Sequence, residues 1–173
     1  RSSGAARGGS TLRYLAAPSM SEPRLLVPLD APKALPASID TYMPYALRAR
    51  AATTLLRVAI RTGAARAAGD EIQLADGYLR DVRELVGQTT GEPDPVFALR
   101  FGTPGRRCNL TLKAMRRDGG DLGYLKISVT GESVARVRHE AAVLRVLGRD
   151  SALSAHVPNL LFAGEWGNGY LLF

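Results

Sequence analysis

The chain has 173 residues, 46% of them apolar, enough for one domain, or one domain with a smaller lead-in unit, and too apolar to be disordered throughout. One cysteine, Cys108, excludes an intramolecular disulfide framework and a cysteine-rich zinc site; two histidines leave little for a histidine metal centre, and no apolar run approaches the roughly 18 residues of a membrane span. Lysine and arginine total 23 against 16 acids, a net charge of +7, and 20 of those cations are arginine; the balance suits anionic partners, although arginines scattered among alanines and leucines read first as a solvated surface.

Residues 1–10 are rich in Gly, Ser and Arg, with no apolar signal core behind them, and read as a disordered or linker segment; a cytoplasmic soluble protein is the default. Thr11–Ala17 and Arg24–Leu29 are apolar stretches of strand length around a turn-rich Pro18–Pro23, which predicts a strand pair. Pro28, Pro32 and Pro36 punctuate a loop. Leu47, Ala51, Leu55, Val58 and Ala59 recur at helical spacing and predict a helix over 45–68, with Gly69 at its C-terminal cap. Asp76 is placed to cap a second helix whose apolar face is Leu79, Val82, Leu85 and Val86. Gly91-Glu92-Pro93-Asp94-Pro95 is a break, dividing a lead-in unit, 1–92, from a second unit, 93–173.

The second unit changes period. Val96–Phe101 is a strand-length apolar run; Leu110, Leu112 and Ala114 alternate with polar or longer residues; Asp118-Gly119-Gly120-Asp121 is a hairpin turn; Leu125, Ile127 and Val129 alternate again. A helix is predicted over 133–147, closed by Gly148. Asn159–Glu165 and Tyr170–Phe173 follow as strands, joined through Asn168-Gly169, a strong short hairpin signal. Short turns require antiparallel neighbours. The prediction is an α+β fold: a five-stranded antiparallel sheet with one packed helix, preceded by a mixed strand and helix lead-in unit.

Two residues break the pattern. Glu140 falls inside the apolar arc of Val134, Val137, Ala141, Leu144 and Leu147, and a carboxylate there is costly unless it meets a cation. Arg136, four residues back, is the plain candidate, worth a few tenths of a kcal/mol in that order. Lys126 is the sharper one. It stands mid-strand on the face opposite Leu125 and Ile127, where a lysine ordinarily points to solvent. If Lys126 pairs with Glu140, the two oddities explain each other and an ammonium is fixed in a cleft; about 4 Å from a phosphate oxygen it gains roughly 4 kcal/mol before desolvation, at an effective dielectric near 20. Between the first two strands of this unit, Gly102-Thr103-Pro104-Gly105-Arg106-Arg107 could bring backbone N–H groups and positive charge to an anion, although such a loop is more often only a turn.

The order of glycine loop, strand lysine, helix glutamate and hairpin resembles the N-terminal lobe of the kinase-like fold, and more closely bacterial phosphotransferases of the aminoglycoside/choline kinase type. The matching stretches are Gly102-Thr103-Pro104-Gly105, Gly123-Tyr124-Leu125-Lys126-Ile127, Arg138-His139-Glu140-Ala141-Ala142-Val143-Leu144, Val157-Pro158-Asn159-Leu160-Leu161 and Tyr170-Leu171-Leu172-Phe173. The likeness covers about 96–173 and implies an ATP site: Lys126 and Glu140 in the catalytic pair, and Gly102, Thr103, Gly105, Arg106 and Lys126 binding the nucleotide. The loop has fewer glycines than the protein-kinase pattern, and Pro104 stiffens it. The family's His-x-Asp loop and Asp-Phe-Gly-like metal motif do not occur in the sequence. They belong to a C-terminal lobe, and the chain stops at Phe173, where the hinge to it would begin. A fragment is therefore expected, with Mg2+ bound only when that lobe is present, an alcohol on an unidentified small molecule as the parent enzyme's acceptor, and no phosphate transfer by this chain alone. The competing reading is a non-enzymatic basic interaction domain or a degenerate kinase-like scaffold. Nucleic acid is disfavoured as its partner, because only 6% of residues are aromatic and no stacking motif occurs.

Overall fold

The computed structural model of the chain describes residues 11–21, 23–39, 54–55, 57–59, 62, 64, 70–102 and 109–173. Alternating residues, the period that gives a sheet two different faces, form eight strands among them: β1 Thr11–Ala17, β2 Leu25–Pro28, β3 Asp70–Ala75, β4 Val96–Phe101, β5 Asn109–Met115, β6 Asp121–Ser128, β7 Ala163–Trp166 and β8 Gly169–Leu172. They pair antiparallel in one sheet of order β3-β1-β2-β4-β5-β6-β8-β7. Among the described residues the α-helices with defined ends are α1 Leu35–Ile39, α2 Arg80–Thr90 and α3 Gly131–Leu147, and 54–55 and 57–59 are helical as well.

The α+β class holds, but the five-stranded sheet is corrected to eight strands. The reason is that β4 is not an edge. Leu25 and Leu26 of β2 pair with Arg100 and Leu99 of β4, so the first strands continue the sheet, and the unpaired N–H and C=O groups an edge would present are satisfied. β3 then pairs with β1 from Thr11↔Ala75 to Ala16↔Asp70. The helix expected over 45–68 lies largely outside the described residues.

One sheet face carries the largest core. Tyr14, Ala16, Leu26, Phe97, Leu99, Leu112, Ala114, Leu125, Leu171 and Phe173 meet Leu79, Val82 and Val86 from α2 and its N-terminal turn. The helical spacing of those last three is what seats α2 on the sheet. Asp76 does not cap α2: it lies in a 3-10 turn, Asp76–Tyr78, Leu79 takes the cap position, and the Asp76 carboxylate pairs with Arg83 at 3.0 Å.

The other face holds three smaller clusters. Leu15, Leu25, Val27 and Leu29 pack with Leu35 and Ile39 of α1; Val96, Ala98 and Met115 pack with Ala31 and Ala34; Val137 and Ala141 of α3 pack with Tyr170 and Leu172 of β8.

Turn chemistry sets the order of β5, β6, β7 and β8. Between β5 and β6, the Arg116 N–H donates to the Gly120 carbonyl at 2.7 Å, with φ +97° at Gly119. Between β7 and β8 the pivot is Gly167-Asn168, one residue earlier than the Asn168-Gly169 dipeptide suggests. Positive φ falls on Gly167 and not on Asn168, the pattern of a II′ turn. Gly169 is required for another reason: a Cβ there would stand 1.9 Å from the carbonyl oxygen of Ser128 on β6.

Candidate functional site

Leu125 and Ile127 turn into the large core, so Lys126 between them faces the α3 side, opposite Thr111 on β5 and Leu172 on β8. Helix α3 begins after Thr130, whose N–H donates to Ser133 Oγ at 3.3 Å, the reciprocal half of a capping box. Val137 and Ala141 fix its underside on β8. At 100° per residue Glu140 lies about 60° round from Val137 toward one side, while Arg138 and Arg145 lie about 80–100° toward the other. On that second side Arg138 pairs with Glu165 of β7, its guanidinium 5.4 Å from the Tyr170 ring centroid, and Arg145 donates to the Ala163 carbonyl at 3.2 Å. Anchored there, the helix presents Glu140 to β6.

The Lys126 Nζ donates to Glu140 Oε1 in a hydrogen-bonded ion pair. The partner of this carboxylate is thus the strand lysine and not Arg136. The two side chains keep 36% and 37% of their exposure, so water reaches both charges. An ammonium has three N–H donors and Glu140 takes one. The arrangement can hold an anionic oxygen without leaving a buried charge uncompensated.

Gly102 follows β4 directly, and its N–H donates to the Asn109 carbonyl at 3.1 Å, which keeps β4 and β5 together where the loop leaves the sheet. That point is two residues along β4 from the row in which Arg100, Thr111 and Lys126 stand opposite one another. Thr103, Gly105 and Arg106 lie outside the described residues. Of the expected site, the structure brings Lys126 and Glu140 together and places Gly102 at the same end of the sheet as the start of α3.

A second lysine escaped the sequence reading. Lys113 on β5 is only 2% exposed. Its Nζ donates to the Ala37 carbonyl at 3.0 Å, pairs with Asp121 Oδ1 at 2.8 Å and lies 5.6 Å from the Tyr124 ring centroid. Burial alone would lower its pKa; the hydrogen bond to Asp121 and the neighbouring Tyr124 more than offset this and hold it above the usual lysine range. Lys113 alternates along β5 as a solvent-facing residue would, and it is a segment 76 positions earlier, at Ala37, that meets its ammonium.

Among the described residues no group of three His, Cys, Asp or Glu side chains converges to hold a metal ion, and no helix is long and apolar enough to cross a membrane. No protein-family model matches the chain, and neither does any curated protein or solved structure.

Proposed function

We propose that this chain is the nucleotide-binding lobe of a cytoplasmic, ATP-dependent phosphotransferase acting on a hydroxyl of a small molecule. Lys126 orients the phosphates, Glu140 holds Lys126, and the loop beginning at Gly102 covers them. The observation that carries this reading is the ion pair between Lys126 on the third strand of 93–173 and Glu140 on the helix that follows. In phosphotransferases of this kind a strand lysine paired with a helix glutamate holds the nucleotide phosphates. The part-exposed ammonium fits a phosphate oxygen in charge and in donor capacity. Catalytic base and magnesium ligands would come from a further lobe, so this chain binds nucleotide and does not turn it over.

The test is equilibrium binding of ATP and ADP to the 173-residue chain and to Lys126→Ala. The expected result is measurable binding that the substitution weakens about tenfold or more, the worth of a charge-assisted hydrogen bond. The melting temperature should hardly move, because a part-exposed ion pair contributes no more than about 1 kcal/mol. Equal binding by the two proteins sinks the reading. The net charge of +7 favours the second reading, a basic interaction domain; salt-sensitive retention on nucleic acid, indifferent to ATP, would identify it.

A further inference from the structure

Helix α3 is held from both flanks, and the flank away from Lys126 carries more bonds than the flank beside it. Underneath, the helix buries Ser133, Val137 and Ala141, side chains of small or medium size that key its rotation about its own axis only loosely. Toward β6 stands the bond between Glu140 and Lys126. Toward β7 stand two others: Arg138 pairs with Glu165 and sets its guanidinium 5.4 Å from the Tyr170 ring centroid, and Arg145 donates to the Ala163 carbonyl at 3.2 Å.

The two arginines lie about two turns apart on one flank of the helix. Their acceptors lie on one strand, β7, about 7 Å apart along it. The contact is therefore a strap with two rungs, which resists rotation of the helix, and not a single pivot. Among the described residues β7 is the last strand at its end of the sheet, and β8 joins it to β6. Strap, β7–β8 hairpin and β6 thus close a ring whose remaining side is the Lys126–Glu140 bond.

We infer that Arg138 and Arg145 are positioning residues: by tying α3 to β7 they set the rotation at which Glu140 meets Lys126. The consequence for ligand binding rests on the reading of Lys126 as a phosphate ligand; the geometry does not. The Arg138 and Glu165 side chains keep 52% and 69% of their exposure, so that rung adds little to global stability. A bias too small to show in unfolding still shifts the population of one helix orientation severalfold.

The test follows acylation of the lysines by acetic anhydride, read by mass spectrometry on the 173-residue chain without nucleotide. Held against Glu140, the Lys126 amine is slower to react than once released. Lys33 is exposed and Lys113 is buried, so they serve as standards for the reagent and for general loosening. Arg138→Ala combined with Arg145→Ala is expected to speed acylation of Lys126 about threefold or more, with Lys33 and Lys113 unchanged. Glu165→Ala, which removes one rung and leaves α3 unaltered, should move Lys126 the same way by less, and keeps the test open if the double variant folds poorly. In a Glu140→Gln background Lys126 reacts fast from the start, and removing the strap should add nothing. An unchanged Lys126, a rise shared by Lys113, or an equal effect of the strap in the Glu140→Gln background overturns the positioning role. ATP affinity, weakened about threefold by the double variant and unaffected by it in Glu140→Gln, separates this role from the nucleotide reading. If the parent binds no ATP while the labelling pattern holds, the nucleotide reading falls and the strap stands. If Lys126→Ala weakens ATP while Lys126 labelling ignores the strap, the strap falls and the nucleotide reading stands.

Discussion

Lys113 and Lys126 stand on the same face of neighbouring strands, and their surroundings give them opposite tasks. Lys126 keeps a third of its exposure and one carboxylate partner; Lys113 keeps almost none and spends its donors on Ala37 and Asp121. Substituting Lys113 by Met keeps the aliphatic stem but leaves the Ala37 carbonyl without its donor, a loss of about 1–3 kcal/mol. Urea unfolding should show that drop for Lys113→Met, several times the change for Lys126→Ala. Equal, small effects would mean that Lys113 is no anchor.

Tyr14 gives the residue scale a pH signature. Burial pushes its phenol well above the usual tyrosine pKa, with Arg83 pulling the other way and Asp30 and Asp76 adding to the rise. A group whose folded pKa is raised keeps its proton when the unfolded chain has released it. Its contribution to stability is whole below about pH 10 and is lost as the pH climbs through the folded pKa. Lys113 adds a loss of the same sign. Stability measured from pH 9 to 12 should therefore fall for the parent chain and fall less steeply for Tyr14→Phe. Parallel curves would show that Tyr14 ionises as freely in the folded protein as outside it.

At the scale of the element, α3 is a lightly seated helix. Ser133, Val137 and Ala141 are its fully buried residues, Val134 and Leu144 pack beside them, and side-chain bonds set the two flanks. What it rests on is β8, so the position of β8 against β6 decides whether Glu140 meets Lys126. At Gly169 the β8 backbone runs directly against the Ser128 carbonyl of β6. Gly169→Ala cannot relieve the approach to the Ser128 carbonyl by turning a side chain, because the obstacle is backbone. The expected cost is about 3 kcal/mol, the upper end for overpacking, read as a lower melting temperature. If the variant melts with the parent, β8 has slack that the strand pairing conceals.

The same elements show what the amino-acid pattern could and could not disclose. Lys126 and Glu140 were legible because each violates its own element's pattern, and one bond resolves both violations. The strands β4, β5 and β6 were legible from alternation, and the β5–β6 turn from Gly119-Gly120. β3 was not: Ile72 and Leu74 are its only large apolar residues, in a short segment flanked by alanine- and arginine-rich chain. The width of the sheet was hidden for a related reason. Nothing local in Leu25–Pro28 says that its free edge pairs with β4, where Leu25 meets Arg100 and Leu26 meets Leu99.

For the whole molecule, the contacts between 1–92 and 93–173 are too many for a loose appendage. Asp94 pairs with Arg83 of α2; Arg116 of the β5–β6 turn pairs with Glu92, and its neighbour Arg117 donates to the Asp30 carbonyl; Lys113 bonds Ala37. Exposed ion pairs of this kind add little each, so the decisive coupling is apolar. The largest core cluster has thirteen buried residues among the described ones, and six of them, Tyr14, Ala16, Leu26, Leu79, Val82 and Val86, precede residue 93. A fragment of 93–173 would lose those six side chains and expose β4 as an apolar edge, which favours association over a unique fold. The expectation is that the fragment aggregates or lacks a cooperative melt, whereas the 173-residue chain unfolds in a single transition seen alike by circular dichroism and tryptophan fluorescence. A soluble fragment with its own sharp transition would show that the strands carrying Lys126 and Glu140 hold together without their neighbours, and that the site does not depend on the first 92 residues for its shape.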